Sequence, residues 1–393
     1  MHYRGLTWDH PRGYSALTAA AQELDAARDG ISLSWDKHSL EGFEAHPIAD
    51  LCERYDLVVL DHPHVGEAVA AGCLKPLESL LALRELTALE RDTIGPCLAS
   101  YRYDGLHWGL PLDAATQVLA FRADLHQGAP PRTWDDVVAL SGREAVALSL
   151  AGPHAALTFQ SIVAAFADPL QDADPDEFVT VEAGLLALDL LATLLARSPR
   201  AVRDANPIGI LSHMASADDV VLCPLIYGYV NYAIAGDSAT RPGAHAIAFA
   251  NAPRATAHSR PGSTLGGTGI GISKRCKVTP ALLTHLRWLM SEAAQRGFIP
   301  AHEGQPSRRS AWLDDDVNLR CGNFYRDTAE TLERAHVRPR HNRAIAFQTS
   351  AAALIRAALT QKREHRAVLA DLQSLYVGSR QEAGRSSLQV SHS

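Results

Sequence analysis

The chain has 393 residues, which is too long for one ordinary hydrophobic core and fits two domains or lobes. Hydrophobic residues make up 47% of it and charged residues 21%, a composition typical of a water-soluble globular protein. The formal net charge of -7 excludes a nucleic-acid partner, because nothing in the sequence builds a broad basic surface. No apolar run approaches the roughly 18 residues that cross a bilayer, so we expect no membrane insertion.

The N-terminus and the cysteines both bear on location. Residues 1–8 lack the charged start, apolar stretch and cleavage site of a secretory signal peptide. On this reading, either the signal was lost when the chain was defined or the protein stays in the cytoplasm. Six cysteines occur without CxxC spacing, which predicts buried free thiols: Cys52, Cys73, Cys97, Cys223, Cys276 and Cys321. Six thiols also favour a reducing compartment.

Strand-like and helix-like segments alternate through the first hundred residues. We predict strands over 3–8, 31–35 and 55–60, and helices over 14–28, 43–53 and 65–71. Nearly continuous apolar strands in such a succession predict a parallel sheet covered by helices on both faces. Ligands of such sheets bind beyond the carboxyl ends of the strands.

Each of these three strands ends in a polar or aromatic cluster. The clusters are Trp8-Asp9-His10, Trp35-Asp36-Lys37-His38 and Asp61-His62-Pro63-His64. We predict ligand contacts from one tryptophan and four histidines: Trp8, His10, His38, His62 and His64. The alternatives are core packing for the tryptophan, a turn with a helix-capping histidine around Pro63, and a metal site that combines His62 and His64 with His10 or His38. We predict no metal.

Arg12 and Tyr14 follow the first strand and precede a helix. Backbone amides at such a helix entrance, together with the guanidinium of Arg12, suit a carboxylate ligand. The alternative is a helix-entry loop with Arg12 in solvent.

Residues 101–117 contain aromatic residues, a glycine turn and Pro111, and no helical period. A segment that stays extended through a proline predicts a strand that crosses between two lobes. Asp113 and Gln117 would then lie at the hinge edge of a cleft. An acid there accepts ligand hydroxyls or pairs with a ligand cation, and the alternative is a hydrogen bond within the hinge.

The rest of the chain continues the alternation. We predict a threonine-capped helix from 133, helices over 157–166, 181–195 and 280–291, and strands over 145–150, 220–227, 245–251 and 270–272. Helical segments broken near Pro339 fill 323–376, with Arg338-Pro339-Arg340 at the surface. The polar, serine-rich end of the chain predicts a flexible tail over 381–393.

Candidate ligand contacts in this part follow strand ends and glycine-rich loops. They are His154, Tyr227, Tyr229, Asn231, Gly266, Gly267 and Glu303. Tyrosines with a polar tip suit a ligand wall, and the glycines let the backbone approach a ligand. A solvated loop is the alternative for Glu303. No Walker loop, Rossmann fingerprint, G-x-S-x-G or HExxH motif occurs, so we predict no catalytic residue and no cofactor.

In this order, the motifs resemble the family 1 extracellular solute-binding proteins, the maltose-binding-protein-like receptors of ABC importers, from about Leu6 to Leu375. The matching segments are YDLVVLDHPHVGEAVAAGCLKPLE (55–78), YDGLHWGLPLDAATQ (103–117), TWDDV (133–137), GGTGIGISK (266–274) and a G-x-P loop (304–306). The resemblance implies an α/β periplasmic-binding-protein-like fold of two discontinuous lobes that close on a ligand by hinge motion. The lobes would be 1–111 plus 254–310 and 112–253 plus 311–380.

The resemblance also implies a function. We expect a monomer that captures a small polar molecule, hydroxylated or carboxylated, in the interlobe cleft and presents it to ABC permease subunits. The location would be periplasmic or extracellular. The alternative, suggested by the missing signal, the thiols and the histidines at the strand ends, is a cytoplasmic enzyme or ligand sensor built on the same fold.

Overall fold

The computed structural model describes residues 1–26, 30–167, 176–234 and 244–390. Strands and helices alternate along the chain, as the sequence predicts. The strands are β1 His2–Trp8, β2 Ser32–His38, β3 Leu57–Leu60, β4 Arg102–Tyr103, β5 Leu106–His107, β6 Leu110–Phe121, β7 Leu222–Tyr227, β8 Ala248–Ala250 and β9 Leu265–Ile272.

Helices make up most of the remaining secondary structure. They are α1 Pro11–Ala26, α2 Leu40–Ala45, α3 Ile48–Arg54, α4 Val65–Ala70, α5 Leu83–Asp92, α6 Trp134–Leu140, α7 His154–Phe166, α8 Val181–Arg197, α9 Pro207–Ser216, α10 Pro280–Leu289, α11 Ile299–Ala301, α12 Arg309–Leu313, α13 Asp315–Leu319, α14 Phe324–Glu333, α15 Ala344–Gln361 and α16 His365–Val390.

The chain forms two compact units, each built from separate stretches of sequence. The first unit contains residues 1–115, 266–319 and 338–344, and the second contains 116–265, 320–337 and the chain from 345 onward. Strand β6 runs from the first unit into the second, and β9 runs back. The lobe boundaries predicted from the sequence stay a prediction.

The sheet of the first unit has the order β2-β1-β3-β9. Strand β1 pairs in parallel with β2, where Trp8 lies opposite His38, and in parallel with β3, where Leu6 lies opposite Val58. The carboxyl ends of these three strands therefore share one edge, which confirms the sequence prediction for that edge. The parallel arrangement predicted for these three strands is confirmed, and β9 adds an antiparallel strand beside β3.

In the second unit, β6 lies between β7 and β8 and runs antiparallel to both. Its hydrophobic core combines α7, α8, α15 and α16 with the buried side of β6 and β7. The strand predicted over 145–150 is reduced to an isolated bridge between Val146 and Leu222, supported by a 2.7 Å hydrogen bond from Ala147 N to Leu222 O. Helix α6 begins at the predicted threonine cap, since the Thr133 side chain accepts a hydrogen bond from Asp136 N.

Two further differences concern where helices begin and end. The helix predicted over 43–53 is split into α2 and α3, because Pro47 lacks an N–H and favours the extended backbone that His46 adopts. The segment predicted as a flexible tail is helical as far as Val390, and residues 391–393 lie outside the described residues. The predicted end of the first helix, 27–28, also lies outside them.

Candidate functional site

Four residues predicted from the sequence meet at the carboxyl edge of the first unit's sheet. We call Trp8, His10, Arg12 and Asp113 the strand-end group. Trp8 is the last residue of β1 and stacks on the His10 ring, with 5.2 Å between ring centroids and 10° between the planes. The Arg12 guanidinium carbon lies 5.5 Å from the centroid of the Trp8 ring, within the range of a cation–π contact. The group thus joins an apolar ring face to polar atoms.

Arg12 and Asp113 form a buried ion pair within this group. Arg12 Nε donates to Asp113 Oδ2 at 2.7 Å, and Arg12 Nη2 donates to Asp113 Oδ1. The two side chains are 4% and 5% exposed, so water screens the pair only weakly. The sequence predicted these residues as separate ligand contacts, whereas the structure joins them in one forked pair whose charges cancel.

His10 has a defined orientation beside this pair. Its Nδ1 accepts a hydrogen bond from Arg12 N at 3.1 Å, so a neutral His10 carries its proton on Nε2. A crevice of about 10 Å³, close to the minimum for one water, borders the pair and is lined by Gly13, Leu112 and Gln305 among others. The site therefore combines a fixed imidazole with space next to the carboxylate.

His38 ends β2 on the same edge. Its ring meets Phe43 edge-to-face at 6.1 Å, and Phe43 in turn lies 5.9 Å from Trp8. Burial, with smaller contributions from nearby positive charges that include His64, lowers the pKa of His38 to about 4. His38 is therefore neutral at pH 7 and offers one ring donor and one ring acceptor.

Tyr14 lies half-buried in the first turns of α1. The Lys37 ammonium nitrogen lies 4.6 Å from the centroid of its ring and forms a 2.6 Å ion pair with Asp9. The rim of this edge is thus polar and internally charge-paired at these residues.

Asp61 and Arg338 form a second buried ion pair, which we call the anchor pair. Arg338 Nη2 lies 2.7 and 2.5 Å from the two oxygens of Asp61, and the Arg338 side chain is 3% exposed. Burial opposes the charge on Asp61, but Arg338 and the hydrogen bonds outweigh it and hold the pKa of Asp61 below its usual range. The predicted surface location of Arg338-Pro339-Arg340 is wrong for Arg338, because a buried carboxylate far away in sequence pairs with it.

His62 belongs to the anchor pair's surroundings. It is fully buried, and its Nε2 accepts a hydrogen bond from Arg338 N at 3.3 Å. Burial, and then the Arg338 charge, lowers the pKa of His62 to about 4. These contacts attach His62 to the Arg338 backbone, and its role as a ligand contact stays a prediction. His64, 2% exposed, lies two residues on, with its Nδ1 4.0 Å from Glu67 Oε2.

Gln117 lies in a buried hydrogen-bond network of the second unit. Its Nε2 donates to Thr158 Oγ1 at 3.1 Å, and its Oε1 accepts from Ser161 Oγ at 2.6 Å. Ser161 Oγ also accepts from Thr264 N at 2.7 Å. The network holds the part of β6 that lies in this unit. Sequence reasoning missed its extent, although polar residues in an otherwise apolar strand were a signal.

The aromatic candidates of the second unit cluster at the end of β7. The His154 and Tyr227 rings meet at 5.9 Å, and Tyr227 Oη lies 3.3 Å from Thr264 Oγ1. Tyr229 meets Tyr232 edge-to-face at 6.4 Å. All four rings are buried, and so is Asn231, which is 6% exposed. The structure thus brings His154 and Tyr227 together, with Tyr229 and Asn231 in the turn that follows β7.

The glycine and loop candidates have structural roles of their own. Gly267 has a φ of +87°, and a Cβ there would lie 2.4 Å from Asp113 O, so close approach of the backbone explains this glycine. Gly266 lies beside it in β9 and is half-buried. Glu303 has a φ of 64°, and its Oε2 lies 3.4 Å from Ser15 Oγ.

The described residues also bear on two other kinds of site. Within them, no group of three or more histidine, cysteine, aspartate or glutamate side chains is placed to hold a metal ion. In the same part of the chain, no helix has the length and apolar character that a bilayer crossing needs.

The comparisons with known proteins agree with this architecture. A family model described as bacterial extracellular solute-binding protein matches residues 46–319, which is more than half of the chain. No curated protein matches the sequence. An ABC transporter solute-binding protein from Agrobacterium radiobacter K84, solved with ribitol, has a TM-score of 0.77 at 21% identity, over 96% of this chain and 98% of that one.

Two further solved structures have the same fold. Maltose-bound MalE3 of T. maritima has a TM-score of 0.76 at 16% identity, over 95% of this chain and 98% of that one. An ABC transporter solute-binding protein from Agrobacterium vitis S4, with bound D-mannitol, has a TM-score of 0.73 at 16% identity, over 98% and 99%. The fold is therefore the two-lobed one that the sequence predicted. With the family match, these similarities confirm the resemblance, and this chain belongs to the bacterial extracellular solute-binding proteins.

Proposed function

We propose that the protein captures a small hydroxylated molecule, a sugar or a polyol, and delivers it to the permease of an ABC importer. Membership of an extracellular solute-binding family implies a small-molecule ligand, ABC permease partners and a periplasmic or extracellular location. The observation that carries the ligand class is the strand-end group, in which an indole, an imidazole and a charge-neutral Arg–Asp pair lie together.

The chemistry of this edge suits hydroxyl groups. A hydroxyl both donates and accepts hydrogen bonds, and a neutral imidazole such as that of His38 does the same. The carboxylate of Asp113 keeps lone pairs beyond those that Arg12 uses. The ring of Trp8, 3% exposed, supports the stacked His10 imidazole and so positions a polar group at this edge. A carboxylated ligand would compete with Asp113 for Arg12, which makes it the less favoured class.

The solved neighbours support the same class. Their bound ligands include ribitol, maltose and D-mannitol, which carry many hydroxyls and no charge. We extend the proposed set of contacts to the aromatic and polar residues around β7 and to the glycine and loop candidates: His154, Tyr227, Tyr229, Asn231, Gly266 and Glu303. His64 is also included, because it lies close enough to His38 for its positive charge to lower the pKa of His38.

Two finer features stay predictions. We propose that the protein acts as a monomer, which size-exclusion chromatography with light scattering checks. Hinge closure on the ligand, implied by the family resemblance, is also retained as a prediction.

Isothermal titration calorimetry with ribitol, D-mannitol and maltose tests the proposal. Succinate serves as the probe for the alternative class of carboxylated ligands. We expect heat of binding with at least one of the three hydroxylated probes, and affinity at least about tenfold weaker in Asp113→Asn, a loss of about 1.4 kcal/mol or more. The amide keeps the shape of the side chain and removes the charge that holds Arg12 in place.

Asp314→Asn is the matched control. Asp314 is another mostly buried carboxylate of the first unit, paired with Arg296 away from the strand-end group. Its substitution should leave affinity unchanged, while circular dichroism verifies that both variants fold. Binding of succinate alone, or full affinity in Asp113→Asn, would contradict the proposed site.

A further inference from the structure

A cavity of about 230 Å³ lies within the first unit, lined by residues of α5 and α10. Two buried strand residues, Leu110 of β6 and Ile272 of β9, also line it, together with part of the segment 77–81. The cavity shares no lining residue with the crevice beside Arg12 and Asp113. It is therefore a place for a ligand that is separate from the strand-end group.

The spacing of residues on the two helices accounts for the shape of the cavity. Leu283, Leu286 and Met290 recur three and four residues apart, so they share one face of α10. The lining residues of α5 have the same spacing: Glu85, Ala88, Leu89 and Asp92. Because Ala88 carries only a methyl group, it leaves space that a larger side chain would fill.

The cavity is apolar and open to solutes. Its lining residues are apolar except for two carboxylates and two guanidinium groups. Leu80, Leu89 and Leu283 are only half-buried, so small molecules can enter between them. An apolar cavity of about 150 Å³ binds benzene, so in proportion this one has room for about nine non-hydrogen atoms.

The charged lining residues pair with one another. Arg287 Nε donates to Glu85 Oε1 at 2.7 Å, and Arg308 Nη2 donates to Asp92 Oδ2 at 2.8 Å. The hydrogen bond from Arg287 lowers the pKa of Glu85, which is therefore ionised at pH 7. A ligand anion would compete with Glu85 for Arg287, and a ligand cation would compete with Arg287 for Glu85. The charges therefore favour an uncharged occupant.

We propose that this cavity binds an uncharged, largely apolar molecule about the size of a two-ring aromatic compound. Burial of the apolar surface of the molecule against the leucines of α5 and α10 would stabilise the complex. The two ion pairs would stay intact at the rim. This site is additional to the sugar or polyol site proposed above and does not depend on it.

Titration of the full chain with indole, an uncharged two-ring molecule, tests the proposal. The chain has three methionines, Met1, Met214 and Met290, so ¹³C-methyl labelling of methionine gives few NMR signals. Met290 lines the cavity, whereas Met214 is fully buried in the second unit. We expect the Met290 signal, assigned with Met290→Leu, to shift until indole saturates the site, while the Met214 signal stays in place.

Two charged relatives of indole test the role of the rim. Indole-3-acetate adds a negative charge and tryptamine adds a positive charge to the same rings. We expect each to bind at least about tenfold more weakly than indole, because its charge must be desolvated beside ion pairs that are already complete. Equal affinity for all three probes would overturn the proposal.

A cavity-filling variant with a matched control locates the site. Ala88→Phe should abolish the indole-dependent shift of the Met290 signal. Thr87→Phe should preserve it, because Thr87 is exposed on α5 and does not line the cavity. Circular dichroism verifies that both variants fold.

The signal of the unaltered chain decides the outcome even if a variant folds poorly. A Met290 signal that indole does not move would overturn the proposal, and so would equal indole binding by Ala88→Phe and Thr87→Phe. A Met290 signal that changes with protein concentration in the absence of indole would also overturn it, because a second copy of the chain would then cover the cavity.

Discussion

The first unit contains two buried arginine–aspartate pairs of similar geometry and different surroundings. In the anchor pair, Asp61 and Arg338 are joined by neutral, fully buried His62, whose ring meets the buried Tyr101 ring edge-to-face at 6.5 Å. In the strand-end group, Arg12 and Asp113 lie beside the Trp8 ring and a small crevice. The same ion pair thus holds chain segments together in one place and shapes a candidate ligand site in the other.

The anchor pair is part of a wider attachment of residues 338–344. Arg340 Nη1 donates to Ala99 O at 2.9 Å and to Arg102 O at 2.7 Å. The backbone of this segment also lies so close to Gly66 that a Cβ there would be 1.9 Å from Arg340 O. Several independent contacts therefore attach this late segment of the chain to the first unit.

The largest expected effect comes from breaking the anchor pair. Arg338→Met should lower the free energy of unfolding by about 3–5 kcal/mol, because it leaves the carboxylate of Asp61 buried without its cation. Urea denaturation followed by fluorescence measures the change. The double variant Asp61→Asn with Arg338→Met should recover part of the loss, since the uncompensated charge is then gone.

Arg4→Met is the matched control for that experiment. Arg4 also forms an ion pair, with Asp36 at 2.7 Å, but the two side chains are 52% and 45% exposed. Water solvates the remaining carboxylate, so stability should hardly change. Equal losses in Arg338→Met and Arg4→Met would mean that burial does not distinguish the anchor pair.

A pH series gives the next largest effect. His62 has a pKa of about 4 in the folded chain and about 6.5 when unfolded, so between these values the unfolded chain binds more protons. The contribution of neutral His62 to the free energy of unfolding is fully present above pH 6.5. It falls by about 3 kcal/mol in total as the pH drops toward 4. His62→Gln should therefore flatten the loss of stability between pH 7 and 4.

The exposed His258 supplies the comparison for the pH series. His258→Gln should keep the slope of the unaltered protein. Burial also lowers the pKa values of His38 and His285 to about 4. These two histidines account for the pH dependence of the free energy of unfolding that remains in His62→Gln. An unchanged slope in His62→Gln would show that this histidine does not link acid to unfolding.

Much of the strand-end group could be predicted from the sequence, because its members follow recognisable strands. Parallel strands place their carboxyl ends at one edge, so Trp8 and His38 had to lie near each other once β1 and β2 were identified. Pro111 in an extended segment likewise indicated the long strand β6 that joins the two units. These predictions depended only on patterns among residues that are close in sequence.

The pairings themselves could not be predicted in this way. Arg12 and Asp113 are 101 residues apart, and Asp61 and Arg338 are 277 apart, so no local period links them. A run such as Arg338-Pro339-Arg340 is typical of a solvated surface, and only a distant carboxylate makes burial of an arginine favourable. In contrast, the break at Pro47 between α2 and α3 was visible in the sequence and should have been predicted.

Glycine substitutions give the smallest effect and separate the two regions most finely. A Cβ at Gly66 meets the Arg340 backbone, which cannot yield, so Gly66→Ala should cost about 1–3 kcal/mol of stability and leave the affinity of the folded protein unchanged. A Cβ at Gly13 would lie 2.1 Å from Trp8 Nε1, so the indole of the strand-end group must move to admit it. Gly13→Ala should therefore weaken binding of the hydroxylated probe, as measured by calorimetry. Gly378→Ala, in α16 with nothing within 4 Å of the added Cβ, should change neither property adversely. An equal loss of affinity in Gly66→Ala and Gly13→Ala would contradict the division between an anchoring region and a ligand-binding region. Strain at either glycine would then weaken ligand binding to the same extent.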